Sequence, residues 1–269
     1  MDLIELIKQE RPFAPSLQIK QIISLESKAA ISGESFQIID AIGKKYKLRR
    51  CENEEKAKEI EAHVRRLPRY FPRFYGRDRY YLLFEWMDGE LFQDMENISP
   101  EICYKVGKIM GEAHALEELD PHKKVGKWYA GRFREIKKAG ILDEENLAKV
   151  QLFYKNHRKK LQLDVVLEFH DAGLPNLMYK EGRVYYVDEG GFGKKVKGLG
   201  LTKPLRWMKT AGQKEAFWRG YNEHYSSDYF DNDYQRFMEF LQLLRTLAWL
   251  PKKGRDVTEV KKRLLELIS

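Results

Sequence analysis

Apolar residues follow strand-type spacings in the first part of the chain and helix-type spacings after about residue 90. Before that point, apolar residues among polar ones predict strands over residues 19–25, 35–42 and 46–51, and Gly43-Lys44 is a hairpin signal between the last two. An apolar run over residues 80–86 predicts a further, buried strand. The first part of the chain is therefore expected to form a small antiparallel sheet.

Helix signals occur on both sides of residue 90. Residues 53–67 contain neither Gly nor Pro and are rich in Glu, Lys and Ala, which predicts one helix that Pro68 ends. Ser99-Pro100 is a helix-start signal, and apolar residues then recur every three or four positions as far as Leu116. Residues 233–250 repeat this pattern, so the rest of the chain is expected to be mainly helical.

This change of pattern predicts an α+β fold in two parts, residues 1–87 with the sheet and one helix, and residues 88–269 with most of the helices. A chain of 269 residues that is 43% hydrophobic and 33% charged is long and apolar enough for a real core, which excludes a disordered or low-complexity protein. Two cysteines are too few for a disulfide framework. We expect a cytoplasmic protein, because neither a signal peptide nor a transmembrane segment is recognisable.

A short strand-type island interrupts the helical part between residues 165 and 188. A strand, a loop and a hairpin there would bring Asp171, Asn176 and Asp188 close together. Mg²⁺ prefers oxygen ligands and keeps positions for phosphate, so one Asn and one Asp, with a second Asp as base, suit phosphoryl transfer. The alternative is structural, with Asp171 and Asn176 as turn residues and Asp188 at a strand end.

The excess of positive charge is concentrated after this island. The chain has 49 Lys and Arg against 41 Asp and Glu, a formal net charge of +8, which favours a polyanionic partner. Residues 190–210 hold six basic residues and no acid: Lys194, Lys195, Lys197, Lys203, Arg206 and Lys209. With several glycines among them, these residues are expected to form a flexible loop that either binds anions or is simply solvated.

The island also carries a resemblance to a known family. Residues 167–191, LEFHDAGLPNLMYKEGRVYYVDEGG, resemble the catalytic loop and metal-binding strand of the aminoglycoside phosphotransferase family, in the protein-kinase-like superfamily. Members carry a His-Gly-Asp-x4-Asn loop, a short hairpin and an apolar strand that ends in Asp. The resemblance implies a bilobal kinase-like fold that uses ATP and Mg²⁺, with Asp171 orienting or deprotonating the acceptor hydroxyl and Asn176 and Asp188 holding the metal.

One residue of the loop departs from the family pattern. Phe169 stands where members commonly have the His that braces the loop, and His170 replaces the usual Gly or Arg. We expect the departure to affect the reaction rate and the loop geometry, but it removes no metal ligand. The family often has Leu-His near the end of the helix that follows the connection between the two lobes. His114 lies in the corresponding helix of this chain, and we interpret it as a core histidine.

The resemblance also implies a nucleotide site in the first part of the chain. Residues 81–90 look like the hinge between the lobes, where the carbonyl of Glu85 and the amide of Met87 would bind adenine. Arg49, or alternatively Lys47, would bind the nucleotide's phosphates. Glu61 would hold that cation, with Glu59 as the alternative. The loop that is rich in glycine in many kinases has only Gly33 here, and Ser32 or Ser35 would help to bind the phosphates.

Two functions follow, and they differ in class. The first is an ATP- and Mg²⁺-dependent phosphotransferase acting on a hydroxyl of a small molecule or of an anionic sugar or lipid-linked saccharide, with Lys194, Lys195 and Lys197 binding the acceptor. A nucleic acid acceptor is possible but not favoured. The second is a catalytically weak, kinase-like binding module for RNA or anionic lipid. The combination of Asp171, Asn176 and Asp188 favours the enzyme, because a binding module has no need of all three.

Overall fold

The computed structural model describes residues 3–25, 34–116, 120–121, 123–161 and 163–269. Their contacts divide the chain into two compact units. Unit 1 comprises Met1–Ile98 and Gly173–Gly193, and unit 2 comprises Ser99–Ala172 and Lys194–Ser269. The segment that holds the candidate base and metal ligands is thus divided, with Asp171 in unit 2 and both candidate metal ligands, Asn176 and Asp188, in unit 1. The boundary after residue 87 stays a sequence-based prediction.

Unit 1 contains an antiparallel five-stranded sheet in the order β1-β2-β3-β5-β4. Its strands are β1 (Ile19–Ser24), β2 (Glu34–Asp40), β3 (Lys45–Arg50), β4 (Phe74–Asp78) and β5 (Tyr81–Glu85). The predicted strands are confirmed as β1, β2, β3 and β5, whereas β4 is a strand that we did not predict. The predicted hairpin turn at Gly43 joins β2 to β3.

Two helices accompany this sheet. One is α1 (Leu3–Glu10), which inserts the fully buried Ile7 into the core formed by Phe36, Ile38, Leu48, Tyr81 and Leu83. The other is the predicted helix, α2 (Glu54–Arg66), which begins where the Asn53 side chain accepts a hydrogen bond from the amide of Lys56 and ends before Pro68. Because side chains alternate along a strand, one face of the sheet packs in the core and leaves Lys47 and Arg49 on the other.

A small second sheet in unit 1 has the order β10-β9-β6. Its strands are β6 (Glu90–Leu91), β9 (Leu177–Lys180) and β10 (Arg183–Tyr186). The strands β9 and β10 form the predicted hairpin around Glu181-Gly182, with Leu177 opposite Tyr186. Both turn residues have positive φ, 49° and 78°, as expected for a two-residue hairpin loop.

Unit 2 is mainly helical, as predicted. Its helices are α3 (Pro100–Ala115), α4 (Lys123–Lys138), α5 (Glu144–Lys160), α6 (Thr202–Trp207), α7 (Ala211–Tyr221), α8 (Asn232–Trp249) and α9 (Thr258–Ile268). The helices α3 and α7 lie in close contact: a Cβ on Gly107 would come within 1.9 Å of the carbonyl oxygen of Phe217. This close approach brings His114 of α3 beside Tyr221 of α7.

A three-stranded sheet in the order β11-β8-β7 belongs to unit 2, except for the first two residues of β11, which belong to unit 1. Its strands are β7 (Asp120–Pro121), β8 (Asp164–Phe169) and β11 (Phe192–Val196). The expectation of a flexible loop after Gly190 is wrong for β11, because Phe192 and Val196 are buried and anchor a strand that carries Lys194 and Lys195. None of the described helices is both long and apolar enough to cross a bilayer.

Candidate active site

Asn176 and Asp188 lie at the open end of the β9–β10 hairpin in unit 1. The hairpin register continues past Leu177 and Tyr186, so the amide of Val187 donates to the carbonyl oxygen of Asn176 at 2.9 Å. Asp188 is the next residue. The hairpin therefore brings the backbones of the two candidate metal ligands side by side, which is the arrangement that the strand–turn–strand pattern predicts.

Two cations from β3 meet two carboxylates at this point. The guanidinium of Arg49 donates to Oδ1 of Asp188 at 2.9 Å, and it lies 3.5 Å from Oε2 of Glu189. The ammonium of Lys47 donates to both oxygens of Glu189, at 2.9 and 3.0 Å, and to the carbonyl oxygen of Val187. Burial opposes the charge on Arg49, but Asp188 and Glu189 raise the pKa of its guanidinium.

The two carboxylates of this cluster differ in exposure. The side chain of Glu189 is 0% exposed and that of Asp188 is 30% exposed. A buried carboxylate is stable only when paired, and Glu189 has Lys47 and Arg49 as its partners. We infer that Glu189 holds the two cations in place and that Asp188 is the carboxylate open to a ligand.

Glu61 is not the acid that holds these cations. Its carboxylate accepts from Arg77 of β4 at 2.8 Å and from Arg65 of α2 at 2.9 Å. Burial opposes ionisation of Glu61, but those hydrogen bonds lower the pKa of its carboxyl. The alternative acid, Glu59, pairs with Lys56 at 2.7 Å. Sequence reasoning missed Glu189, although its position directly after Asp188 was a signal.

The donor set fits a magnesium ion. Asn176 and Asp188 offer oxygen ligands, the exposed carboxylate leaves room for water and phosphate, and Lys47 and Arg49 supply positive charge for a phosphate chain. In the described part of the chain no group of three or more His, Cys, Asp or Glu has metal-binding geometry.

Of the remaining predicted nucleotide residues, Ser35 and Glu85 lie on the same five-stranded sheet as Arg49. Glu85 ends β5, and Met87 follows in the segment before β6. Both residues are partly exposed. Ser35 of β2 lies opposite Arg49 in the β2–β3 ladder. The predicted roles of Ser32 and Gly33 lie outside the described residues.

Asp171 follows β8 in unit 2, and its partner is Lys203 of α6. The ammonium of Lys203 forms a short ion pair with Oδ1 of Asp171, and both side chains are about one-fifth exposed. The indole of Trp207, also on α6, donates to the carbonyl oxygen of Ala172 at 3.3 Å. Phe169 is buried in the core. Thus α6 contacts the loop at two points.

The three lysines predicted to bind an acceptor differ in their surroundings. Lys194 is exposed and Lys195 is partly exposed, both on β11. Lys197 instead is buried and donates to Asp164 at 2.8 Å and to the hydroxyl of Tyr225 at 3.2 Å. Burial opposes the charge of Lys197, but the hydrogen bonds that it donates to these partners raise the pKa of its ammonium. Lys197 thus has the contacts of a structural ion pair.

Replacing Lys197 by Met should destabilise the protein. Removing one partner leaves Asp164 partly buried without its cation, at a cost of about 3 kcal/mol. Urea unfolding measures this loss. Lys194→Met, on the exposed lysine three residues away, is the matched control, and we expect a change within about 0.5 kcal/mol. Equal effects of both substitutions would show that Lys197 is not a structural residue.

The comparisons with known proteins identify the fold. No protein-family profile matches the sequence, and no curated protein is detectably similar to it. Solved structures do match. The choline kinase LicA from Streptococcus pneumoniae has a TM-score of 0.69 at 16% identity, covering 99% of both chains. The macrolide 2′-phosphotransferase MphH from Brachybacterium faecium has a TM-score of 0.66 at 9% identity, covering 99% of this chain and 97% of its own.

A further match contains a nucleotide. The amicoumacin kinase hAmiN, in complex with AMP-PNP, Ca²⁺ and Ami, has a TM-score of 0.69 at 13% identity, covering 99% of this chain and 94% of its own. At these identities the likeness shows the fold alone. The α+β, kinase-like fold implied by the sequence resemblance is confirmed.

Proposed function

We propose that this protein is an ATP- and Mg²⁺-dependent phosphotransferase that moves the γ-phosphoryl group to a hydroxyl of a small-molecule acceptor. The observation that carries the proposal is the cluster at the end of β10. There Asn176 and the partly exposed Asp188 face each other across the hairpin, close to one lysine and one arginine, Lys47 and Arg49. The fold adds support, since the matched structures include a choline kinase and a macrolide phosphotransferase.

The nucleotide is bound in this proposal by unit 1. Glu85 and Met87 contact the adenine edge, and Arg49 and Lys47 neutralise the phosphates. Asn176 and Asp188 hold Mg²⁺, which when bound neutralises charge on the phosphate chain during transfer. Glu189 keeps both cations oriented, because its two oxygens are already bonded to Lys47 and one of them faces Arg49.

Asp171 acts on the acceptor. Its carboxylate accepts the proton of the acceptor hydroxyl while that oxygen forms a bond to the γ-phosphorus. The bond between the γ-phosphorus and the β–γ bridging oxygen breaks, and ADP leaves with the electron pair. Lys203 holds Asp171 through their ion pair.

The acceptor class is anionic in this proposal. An ammonium in contact with the base disfavours a cationic acceptor and stabilises an anionic one. Lys194, Arg206 and Lys209 are exposed in the same acid-free stretch. A phosphorylated sugar or a lipid-linked saccharide fits this charge better than a quaternary amine.

An acceptor screen tests the proposed function. The protein would be incubated with γ-labelled ATP and Mg²⁺ and with phosphorylated sugars, neutral sugars, choline and aminoglycosides in parallel. We expect transfer to one or more hydroxyl acceptors, with anionic ones preferred. Absence of nucleotide binding, together with tight binding of RNA or of anionic lipid vesicles, would instead establish the binding module. Preference for choline or aminoglycosides would refute only the anionic class of acceptor and would leave the phosphotransferase function standing.

Changing Lys194 and Lys195 together to Glu should weaken acceptor binding more than nucleotide binding. The acceptor's KM should rise about tenfold, since reversing two nearby charges costs on the order of 1 kcal/mol or more, and the effect should shrink as salt screens it. Steady-state kinetics at low and high salt measures both. Lys253→Glu, at an exposed lysine of the region between α8 and α9, is the control. Equal changes in the KM of ATP and acceptor would contradict a role in acceptor recognition.

A further inference from the structure

A fully buried carboxylate lies three residues before the candidate base. Glu168 is 0% exposed near the end of β8, between the apolar residues Leu167 and Phe169. Its Oε1 lies 3.2 Å from Nε2 of His114, without hydrogen-bond geometry. The other oxygen, Oε2, has no hydrogen-bond partner among the described residues. The proposed reaction does not use this group.

The Glu168 carboxylate links β8 to the segment that carries Lys203. Its Oε1 accepts a 2.7 Å hydrogen bond from the amide of Gly200, two residues before α6 begins. No larger residue fits there: a Cβ on Gly200 would lie 2.3 Å from the carbonyl oxygen of Phe169. Lys203 follows three residues later and pairs with Asp171. These contacts therefore connect Glu168 of β8 to Asp171, in the loop that directly follows β8.

The opposite side of Glu168 is also fixed. His114 is fully buried, and its Nδ1 is hydrogen bonded to the hydroxyl of Tyr221 at 2.7 Å. That hydroxyl in turn lies 2.8 Å from the hydroxyl of Tyr229. The carboxylate is thus held between α3 and the start of α6. An apolar residue of the same size would avoid the cost of burying a carboxylate, so stability alone does not account for a Glu at this position.

We propose that Glu168 is a positioning residue for the base. Its hydrogen bond to Gly200 fixes the start of α6, which fixes Lys203 and through it the carboxylate of Asp171. This inference rests on the proposed function for the role of Asp171. In this chain Phe169 leaves the loop without the histidine expected from the family, and Glu168 with His114 supplies a support from inside unit 2.

Chemical labelling of lysines tests, without any substrate, whether Glu168 fixes the position of Lys203. Three variants separate the effect of the hydrogen bond to Gly200 from the effect of the negative charge. Glu168→Gln removes the charge but keeps an oxygen for the Gly200 amide. Glu168→Asp keeps the charge on a side chain that is one methylene shorter, and Glu168→Met removes both the oxygen and the charge. Acetylation by an N-hydroxysuccinimide ester, followed by mass spectrometry, gives the reaction rate of Lys203. We expect about a fivefold or larger increase in Glu168→Met, a smaller one in Glu168→Asp, and little change in Glu168→Gln. Lys194 is the internal control and should react equally in all four proteins.

Kinetics provides the second readout. With an identified acceptor, kcat should fall about tenfold or more in Glu168→Met with the KM of ATP unchanged, because a small misplacement of a reacting group costs one to two orders of magnitude. Glu168→Gln should retain most of the activity. If Glu168→Met does not fold, Glu168→Asp decides. Unchanged Lys203 labelling in every folded variant, or equal defects in Glu168→Gln and Glu168→Asp, would overturn the positioning role. Because labelling needs no turnover, it decides this point even if no transferase activity is found.

Discussion

Replacing Asp188 by Asn should abolish Mg²⁺-dependent turnover. The amide keeps the size of the side chain and an oxygen for Arg49, but it removes the anionic metal ligand. Because a bound metal stabilises the transition state by several kcal/mol, we expect a loss on the order of 10³-fold or more in kcat/KM. Steady-state kinetics across a Mg²⁺ titration measures this loss.

Glu181→Gln provides the control for Asp188→Asn, since it makes the same kind of charge change on the exposed β9–β10 turn. We expect the control to keep wild-type turnover. Asp188→Asn should also remain folded, with an unchanged circular dichroism spectrum. Full activity of Asp188→Asn at ordinary Mg²⁺ concentrations would show that this residue is not a metal ligand.

Asp171→Asn should lower kcat by on the order of 10²–10⁴-fold, the usual cost of losing a general base. Affinity for ATP should stay within about twofold, because the proposed nucleotide residues are all in unit 1 and Asp171 is in unit 2. Single-turnover kinetics and nucleotide titration measure the two effects separately. Asp228→Asn, at an exposed loop of unit 2, is the matched control. Retention of full kcat in Asp171→Asn would contradict its role as base.

The elements that sequence alone predicted are those with local signals. The helix α2 has an Asn cap and a terminating Pro, β2 and β3 flank a Gly turn, and α3 starts at Ser99-Pro100. The strand β11 was missed because Lys194 and Lys195 mask the burial of Phe192 and Val196 at its two ends. Helix α1 was missed because it is short and its burial depends on the sheet beneath it.

The candidate site residues also divide into those with local sequence signals and those that depend on contacts between distant parts of the chain. Asp171, Asn176 and Asp188 were predicted from a single segment, in which the hairpin between Asn176 and Asp188 has local sequence signals. The pairing of Lys47 with Glu189 spans 142 residues, and no local period reveals such a contact. Glu61 was chosen from a helix rich in acids, and its neighbours Arg65 and Arg77 attract it more directly. The available signal for Glu168 was an acidic residue within the apolar run over residues 165–169.

The measurement that tests the central claim most directly is the thermal stability of the wild-type protein with ATP, with and without Mg²⁺. A ligand at about one hundred times its Kd stabilises the folded state by about 2.7 kcal/mol, or roughly 5–10 °C for a chain of this size. We predict a shift of this order with ATP and Mg²⁺ together, a much smaller one with ATP and a chelator, and loss of the difference in Asp188→Asn. An ATP shift that is absent, or that is the same with and without Mg²⁺, would contradict a magnesium-dependent nucleotide site at Asn176 and Asp188.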